Sequence, residues 1–540
     1  MLSLDFICNY DSLILKDTKK INKLAFALDM AVAGRSDESV WIRQAQEIRK
    51  QMTDSLIDSA FTYLPEGVKH DEIELIKRKL KRRRLELEAV ASQYYRLLQR
   101  TPVVAGTNQS DYFLIERQAP DRTILRIYDP ETGDCRLEQQ FSGRETKELW
   151  LYGLAGNDTF EVKGNTRKDF PIYLISGEGE NQYQLNHNRK IHVYDKDYKY
   201  DYQKIKYHKI SFTPWGIYDS DKGISLGTFF TYTMYGFKRA PFTYQHRIGY
   251  NYLKGFMYAG VFPNYDGRRR LYLNASISSP RNFENFFGFG NNTAGYKEEK
   301  KNYNRVKLRT YMLNPSFEMD LRKEEVVTFF GSLDMYKAKR TDDRYIYTVY
   351  GEDHPIFRTN YFVGLGATYR ITKQPYSWLP LLETEWTAGW KMNLKKPERN
   401  FPYAQGSLSW NVRCSDRFTW ASLMKGTVLF DNDYEFYQAA TIDLRGFRDN
   451  RFIGKQSFYQ YSDLRLDMGK LKNPFTPLKY GLFAGFDYGR VWFPGERSHS
   501  WHTSYGGGIW LTFLNKFTTK YSWFGSTDSF RFAFELGLGF

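Results

Sequence analysis

The C-terminal part of this chain alternates apolar and polar residues, and this pattern constrains its fold more than any other feature. Between residues 204 and 540, segments of about ten residues alternate in this way and are separated by turn residues. In the last segment, Phe530, Phe532, Phe534, Leu536, Leu538 and Phe540 share one face. Because alternate side chains of a strand point to opposite faces, the pattern predicts an extensive antiparallel β-structure with one apolar face.

Two architectures provide an environment for such a face, a soluble sandwich and a membrane barrel. Aromatic residues make up 18% of the chain, although the mean hydropathy is a polar −0.60. Strands that turn one face to lipid and the other to a lumen combine a high aromatic content with a polar mean hydropathy. A sandwich rarely continues this long without a break or ends on an exposed apolar strand. We therefore expect residues 204–540 to form a transmembrane β-barrel. Because no stretch approaches 18 consecutive apolar residues, transmembrane helices are not expected.

Residues 1–100 are predicted to be a helical region, the tail of a larger upstream domain. Apolar residues recur at helical spacing from Ile42 to Ala60 and again from Ile73 to Leu97, with a break at Pro65 and Gly67. The second run contains seven basic residues in the eight positions 77–84. A solvated helix face explains this charge, and anionic lipid head groups are the alternative partner. No nucleic-acid partner is expected, because no motif for reading nucleic acid accompanies the charge.

Residues 101–203 contain an internal repeat of a glycine turn followed by an alternating strand. Residues 151–162 align with residues 174–185, and an earlier copy lies at residues 106–115. Such a repeat predicts a short β-solenoid or roll. The turns resemble the calcium-binding RTX nonapeptide, so Asp111 and Asp158 are weak calcium candidates. A purely structural turn repeat is the favoured alternative, because Asn181 replaces the acid in the last copy.

Motifs near the C-terminus resemble those of the BamA-like outer-membrane superfamily, the bacterial surface antigen family. The resemblance rests on five segments in family order: Leu444-Arg445-Gly446-Phe447, Ser462-Asp463-Leu464-Arg465-Leu466, Phe486-Asp487-Tyr488-Gly489-Arg490-Val491-Trp492, Gly506-Gly507-Gly508-Ile509-Trp510 and the terminal Phe540. It implies a 16-stranded barrel over residues 204–540. That leaves about 21 residues for each strand with its connection, which suits strands of about ten residues.

The resemblance also implies a latch in the barrel lumen. In this family the arginine-bearing loop folds back into the lumen, where the arginine pairs with acids on neighbouring strands. Carried over, Arg445 meets Asp487 and Asp463, and the site residues are Arg445, Gly446, Phe447, Asp463, Asp487 and Gly489. A guanidinium can bond carboxylates through two parallel contacts, which suits a structural and gating role.

The terminal strand carries a second implied role, that of a signal for assembly. In barrels of this class the insertion machinery recognises the alternating C-terminal strand, here Phe532, Phe534, Leu536, Leu538 and Phe540. The implied location is the bacterial outer membrane, with residues 1–203 on the periplasmic side. The implied partners are the lipid bilayer and lipopolysaccharide, the barrel-assembly machinery during biogenesis, and polypeptide clients.

Residues 1–203 do not resemble the N-terminal region of family members that insert or secrete proteins. It contains no duplicated βααββ unit of the POTRA type. Residues 52–60, 64–65 and 151–156 resemble instead the segment before the barrel in large surface-antigen proteins of the Bacteroidetes. Those proteins often carry a metallophosphoesterase domain further upstream, whose metal-ligand motifs are missing here. No signal peptide is evident at the N-terminus, so we expect a fragment or a shortened form of a longer protein.

No motif indicates an enzyme. The eight histidines include no HExxH, there is no Walker loop or GxSxG, and the three cysteines form no CxxC. No cofactor or metal is therefore expected beyond the weak calcium candidates. The leading hypothesis is a barrel that assists insertion or translocation of polypeptide or anchors a periplasmic domain. The alternatives are a passive pore, a structural surface antigen, and the membrane half of a split metallophosphoesterase.

Overall fold

The computed structural model describes residues 14–64, 70–165, 168–185, 190–195, 198–219, 222–264, 266–293, 302–341, 343–374, 381–396, 399–471, 478–513 and 517–538. The chain forms two compact units. The N-terminal unit comprises residues 2–208 and 235–238, and the barrel unit comprises residues 209–234 and 239–540. Pro65, Gly67 and Phe540, which the sequence singles out, lie outside the described residues.

The N-terminal unit begins with helices, of which the bounds are α1 Thr18–Ile21, α2 Phe26–Val32, α3 Glu38–Gln51, α4 Asp54–Ala60 and α5 His70–Leu98. The run of apolar residues from Ile42 to Ala60 falls on two helices, α3 and α4, because the chain breaks at Met52. The Thr53 hydroxyl accepts a hydrogen bond from the Leu56 N–H at 3.1 Å and starts a new helix there. None of the described helices has the length and hydropathy that crossing a membrane requires.

Nine strands follow in this unit, namely β1 Val103–Ala105, β2 Tyr112–Gln118, β3 Arg122–Tyr128, β4 Cys135–Ser142, β5 Leu149–Tyr152, β6 Thr159–Gly164, β7 Ile172–Ile175, β8 Gln182–Leu185 and β9 Ile191–Tyr194. One sheet has the parallel order β1-β5-β7-β9. In the other, β2, β6 and β8 are parallel and the antiparallel strands β3 and β4 extend the edge. This is the predicted solenoid, with a hairpin added to one sheet.

The strand register follows the sequence repeat. Leu151 pairs with Leu174, and Phe113, Phe160 and Tyr183 lie side by side in consecutive turns. The phenylalanine rings of 113 and 160 stack at 4.6 Å between centroids. Inward-pointing residues of both sheets form one buried apolar core. The repeat is therefore a packing repeat, because equivalent positions stack in successive turns.

The barrel unit contains the strands β10 Lys209–Asp219, β11 Gly223–Met234, β12 Tyr244–Asn251, β13 Gly255–Pro263, β14 Arg269–Ile277, β15 Phe283–Asn285, β16 Arg305–Arg322, β17 Glu325–Ala338, β18 Asn360–Lys373, β19 Leu382–Asn393, β20 Asn400–Arg413, β21 Phe418–Leu429, β22 Ala440–Thr441, β23 Ile453–Gly454, β24 Gln456–Leu471, β25 Leu478–Trp492, β26 His502–Phe513, β27 Phe517–Gly525 and β28 Phe530–Leu538, and the helix α6 Tyr345–Tyr350.

These strands form a closed antiparallel barrel with sixteen positions around the wall, as the resemblance implies. Strands β22 and β23 form a separate small ribbon. Strand β15 pairs with β16 at residues 305–307, whereas β14 pairs with β16 at residues 311–319, so the two share one position. Strand β28 closes on β10 in an antiparallel sense. Antiparallel closure requires an even number of positions, which the shared position provides.

The outer face of the barrel is apolar. Large hydrophobic side chains are exposed on strands all around the wall, among them Phe212, Phe230, Ile248, Leu271, Phe317, Phe329, Leu365, Trp386, Leu464, Leu482 and Tyr505. A soluble protein rarely exposes apolar area on this scale, whereas lipid favours it. The alternation therefore serves a lipid-facing surface and a lumen.

Long loops fill one end of the barrel. Residues 278–304, 339–359 and 430–455 connect strands at the end opposite the termini of the barrel. Their side chains Phe286, Ile346, Ile356, Phe357, Phe436 and Ile453 are buried together against the barrel wall. We call this cluster the loop plug. Beside it lies a cavity of about 600 Å³, lined by residues that include Lys222, Arg281, Glu284 and Asp449.

Candidate functional site in the barrel lumen

The loop of residues 430–455 brings the predicted arginine into the lumen. The ribbon of β22 and β23 closes the base of its central turn, where Thr441 pairs with Ile453. Leu444 and Phe447, on either side of the arginine, are buried in an apolar cluster with Tyr459 and Val491 of the wall. These contacts hold the turn against β24 and β25, so Arg445 approaches the wall from inside.

Arg445 binds Asp487 of β25 through three donors. The side-chain Nε lies 3.0 Å from Oδ1, Nη2 lies 2.5 Å from the same oxygen, and the backbone N–H of Arg445 donates to Oδ2 at 3.0 Å. The Asp487 side chain is completely buried. Charge-assisted contacts that combine side chain and backbone fix both the position and the orientation of the loop.

The same guanidinium binds a second carboxylate. Its Nη1 lies 2.6 Å from Oδ1 of Asp463 on β24, whose side chain is 2% exposed. Asp463 also has Arg465 Nη2 at 3.6 Å and Lys520 Nζ at 3.5 Å from its other oxygen. Arg445 therefore bridges two neighbouring strands. Of the two acids, Asp463 is the one that has further cationic partners in the described part of the chain.

Glycines make room for this contact. Gly485 lies directly opposite Asp463 in the ladder between β24 and β25. A Cβ at residue 485 would lie 2.6 Å from Arg445 Nη2 and 2.7 Å from Asp463 Oδ1. At Gly446 a Cβ would lie 2.6 Å from the Cβ of Ser504. Both distances are below van der Waals contact, so a side chain at either position would displace the arginine or the loop.

Two serines and a phenylalanine complete the site. The Ser504 hydroxyl donates to Asp487 Oδ2 at 2.7 Å and accepts from the Gly446 N–H at 3.2 Å. Ser526 donates to the Gly446 carbonyl oxygen at 2.7 Å. The ring of Phe524 lies 3.9 Å from the guanidinium carbon of Arg445, within cation–π range. The turn is thus bonded to β24, β25, β26 and the β27–β28 connection.

This arrangement suits a mechanical contact. A buried carboxylate whose partner is removed becomes an uncompensated charge, and breaking such a pair typically costs about 3–5 kcal/mol. Both acids are bonded to one guanidinium, so the contact joins the loop to two neighbouring strands. We call Arg445, Asp463 and Asp487 the latch triad.

The structure brings the other predicted residues to different places. Phe447 packs beside the latch triad, whereas Gly489 lies opposite Tyr459, where a Cβ would lie 2.7 Å from that residue's own Cβ. Phe532 and Phe534 of the terminal strand contact Trp523 and Tyr521 on the neighbouring strand. Leu536 and Leu538 pair with Thr519 and Phe517 along the backbone.

The weak calcium candidates are engaged by protein groups. Asp111 accepts hydrogen bonds from the Thr107 N–H at 2.6 Å and from Arg136 Nη1 at 2.5 Å. Asp158 accepts one from the Asp111 N–H at 2.9 Å, and Asn181 in turn accepts one from the Asp158 N–H at 2.9 Å. Within the described ranges, no group of three or more His, Cys, Asp or Glu residues could hold a metal ion. These contacts form a ladder that joins successive turns of the solenoid.

Sequence reasoning missed several residues of the site. Ser504, Phe524, Ser526 and Lys520 lie outside the five segments that resemble the superfamily. The available signal is the spacing of Ser504, two residues before the glycine triplet 506–508. Because side chains two residues apart share a face, this places Ser504 on the face of Gly506, which neighbours Gly485.

The first and last strands of the barrel, β10 and β28, meet at a seam that differs from the neighbouring strand pair. Strands β10 and β28 pair at Tyr218 and Phe534, the one position recorded for this pair in the described residues. The neighbouring pair β27–β28 is in register from Phe517 to Gly525. The seam therefore has fewer described ladder positions than its neighbour.

Comparison with known proteins gives likeness at the level of solved structures. BamA from Haemophilus ducreyi lacking POTRA domains 1–3 is 11% identical, with 62% of this chain covering 71% of that chain at a TM-score of 0.46. CdiB from Escherichia coli is 10% identical, with coverages of 62% and 64% and a TM-score of 0.41. CdiB from Acinetobacter baumannii is 12% identical, with coverages of 62% and 66% and a TM-score of 0.37. The chain thus spans slightly less than two thirds of either CdiB. No protein-family model and no curated protein matches the chain.

Proposed function

We propose that this protein is an outer-membrane β-barrel of the BamA-like superfamily that assists insertion or translocation of polypeptide. The observation that carries the proposal is the latch triad, in which a lumen loop bearing Leu444-Arg445-Gly446-Phe447 is bonded to acids of β24 and β25. Four of the five segments that resemble the superfamily, all except the terminal Phe540, lie on this loop and on the adjacent strands β24, β25 and β26. The lipid-facing outer wall supports the location in a membrane.

The seam between β10 and β28 supports the insertion role. A strand edge with few ladder partners can offer its backbone N–H and C=O groups to another strand. An incoming barrel segment is such a strand. The terminal residues Phe532, Phe534, Leu536, Leu538 and Phe540 serve, in this proposal, as the signal by which the barrel-assembly machinery recognises this chain. In this proposal the barrel contacts a bilayer with one leaflet of phospholipid and one of lipopolysaccharide.

Orientation follows from the lengths of the connections. Barrels of this class place short turns on the periplasmic side and long loops outside. The loop plug then lies at the extracellular end, and residues 1–203 are periplasmic. In this proposal the chain has three domains, residues 1–100, 101–203 and 204–540.

The loop plug favours a second candidate function. Buried side chains of three connections lie together at one end of the barrel, which suits a closed barrel that anchors a periplasmic domain or serves as a surface antigen. In this candidate the latch triad keeps the plug in place and no polypeptide passes. The same role would suit the membrane half of a split metallophosphoesterase, and the chain itself is proposed to have no catalytic activity.

Reconstituted liposomes test the two candidates. The protein should accelerate the membrane insertion of a urea-unfolded small barrel protein relative to empty liposomes. A disulfide between Tyr218→Cys and Phe534→Cys, in a chain whose three native cysteines are serine, should abolish this acceleration. Reduction of the disulfide should restore it, because the seam can then open.

A matched disulfide provides the control. Leu464→Cys with Ala484→Cys joins opposed residues of β24 and β25, away from the seam, and should leave insertion unchanged. Absence of acceleration by the unmodified protein would refute the insertion role. Ion conductance in that case would identify a passive pore, and its absence would support the anchor.

A further inference from the structure

The first two helices of the N-terminal unit carry an exposed apolar stripe. Ile21 is 44% exposed, Leu24 87%, Leu28 53% and Val32 71%. These are large aliphatic side chains on one short helical segment. Single exposed apolar residues are ordinary, but a contiguous row of them marks an interaction surface.

The stripe is continuous because α1 and α2 form nearly one helix. The Phe26 N–H donates to the Asn22 carbonyl oxygen at 2.9 Å, and the Asp29 N–H donates to that of Ala25 at 2.9 Å across the join. At about 100° per residue, the four stripe residues fall within an arc of about 80°. Phe26 and Met30 are buried on the opposite side in the core of the unit. The core therefore uses one face of the segment and leaves the stripe outside.

Lysines flank the stripe. Lys16, Lys19, Lys20 and Lys23 lie within eight residues at its N-terminal end, where Asp17 is the one acid. An apolar stripe beside clustered lysines is the composition of helices that lie in the head-group region of a bilayer. Lysines near an anionic surface are attracted to it.

The segment is fixed to the residues just before the barrel begins. The Phe26 ring stacks on that of Tyr207 at 3.6 Å between centroids, and Lys19 Nζ lies 5.0 Å from the centroid of the same ring. Lys19 Nζ also donates to the His208 carbonyl oxygen at 3.3 Å. Strand β10 starts at the next residue, Lys209. The helical segment is thus tied to Tyr207 and His208, the last residues of its own unit before β10.

We propose that Ile21, Leu24, Leu28 and Val32 insert into an anionic phospholipid leaflet. Lys16, Lys20 and Lys23 bind the lipid phosphates, whereas Lys19 holds the segment to Tyr207 and His208. The aliphatic side chains reach the upper acyl region. Four side chains on one helix bury far less than the roughly 1,000 Å² that a stable protein interface needs, which favours lipid over a second copy of the chain. This inference rests on the proposed membrane location.

Site-specific fluorescence tests the contact in the full chain. The three native cysteines are replaced by serine, Leu28→Cys is labelled with an environment-sensitive NBD dye, and the protein is placed in nanodiscs of phosphatidylcholine with phosphatidylglycerol. We expect a blue-shifted emission that lipids spin-labelled near the head group quench. A label at Thr132→Cys, in the exposed β3–β4 turn, is the control and should report water.

Several outcomes would overturn the inference. A water-like emission at Leu28 would do so, provided that the resistance of the barrel to heat on a gel shows that it is inserted. An apolar emission that no lipid spin label quenches, and that grows with protein concentration, would identify a second copy as the partner. Replacing Lys16, Lys20 and Lys23 with glutamine, or omitting phosphatidylglycerol, should reduce the quenching at least twofold. Failure of the barrel to insert would count against the proposed function.

Discussion

Asp463 lies directly opposite Gly485 in the ladder between β24 and β25, and the guanidinium of Arg445 occupies the space that a side chain at 485 would fill. The space left by the absent side chain on β25 thus holds the guanidinium that binds the acid on β24. This relationship makes the latch depend on a glycine that contributes no functional group.

Substitution of Gly485 by leucine is expected to release the loop of residues 430–455. The new side chain would meet Arg445 Nη2 and Asp463 Oδ1 below contact distance, and the lost pairing should cost about 3 kcal/mol or more. Trypsin should then cleave the folded barrel after Arg445, Arg448 or Arg451. Gly426→Ala is the control, because a Cβ there would lie 3.6 Å from the nearest atom. Unchanged resistance of Gly485→Leu to trypsin would contradict the prediction.

Removal of the arginine is expected to act mainly through Asp487. Arg445→Ala should lower the temperature at which the folded barrel unfolds on a gel, because Asp487 then stays buried without a cation, whereas Asp463 keeps Arg465 and Lys520. Adding Asp487→Asn to Arg445→Ala should therefore recover at least half of the loss. Adding Asp463→Asn should recover little. Equal recovery by the two second substitutions would show that the acids are equivalent.

The N-terminal unit is expected to lose stability as the pH rises from about 4 to about 7. Burial raises the pKa of Asp158 to about 7, although the hydrogen bond from the Asp111 N–H opposes the rise. Since this pKa exceeds the ordinary value of an unfolded aspartate, the folded state binds the extra proton, and the stabilisation is lost between about pH 4 and pH 7. Hydrogen exchange of residues 150–185 should be faster at pH 8 than at pH 5.5, after correction for intrinsic rates. Asp158→Asn, which keeps the shape of the protonated acid, should remove the difference.

Calcium is expected to have no effect on the solenoid. The ion takes six to eight oxygen ligands, whereas the Asp111 carboxylate is already bound by Arg136 and the Thr107 N–H. Hydrogen exchange at residues 104–115 and 150–162 should be the same in millimolar calcium, in a chelator and in millimolar magnesium. Protection that appears with calcium alone would restore Asp111 and Asp158 as ligands.

The sequence predicted a short β-solenoid or roll because its repeat is local. A spacing of 23 residues between Leu151 and Leu174 is the length of one turn, and the structure pairs these residues. The helical region was less predictable. Periodicity alone does not reveal a break such as that at Met52, where the Thr53 cap interrupts a run of apolar residues that continues on both sides.

The loop plug could not be predicted at all. Phe286, Phe357 and Phe436 lie in three connections without periodicity, and their burial depends on the diameter of the barrel and on the direction in which each connection folds. The stripe on α1 and α2 was missed for a related reason, because its exposed face is recognised only once Phe26 and Met30 are known to fill the core.

By itself, the sequence determined that the strands after residue 204 alternate an apolar with a polar face, which repeat stacks in the solenoid, and which arginine and acids belong to the shared motifs. The tertiary structure decided which side chains meet. A period of two assigns a face but neither a neighbouring strand nor a register, so Ser504, Lys520 and Phe524 join the latch only once the wall is closed. Packing between strands far apart in the chain sets these contacts, and local sequence carries no record of them.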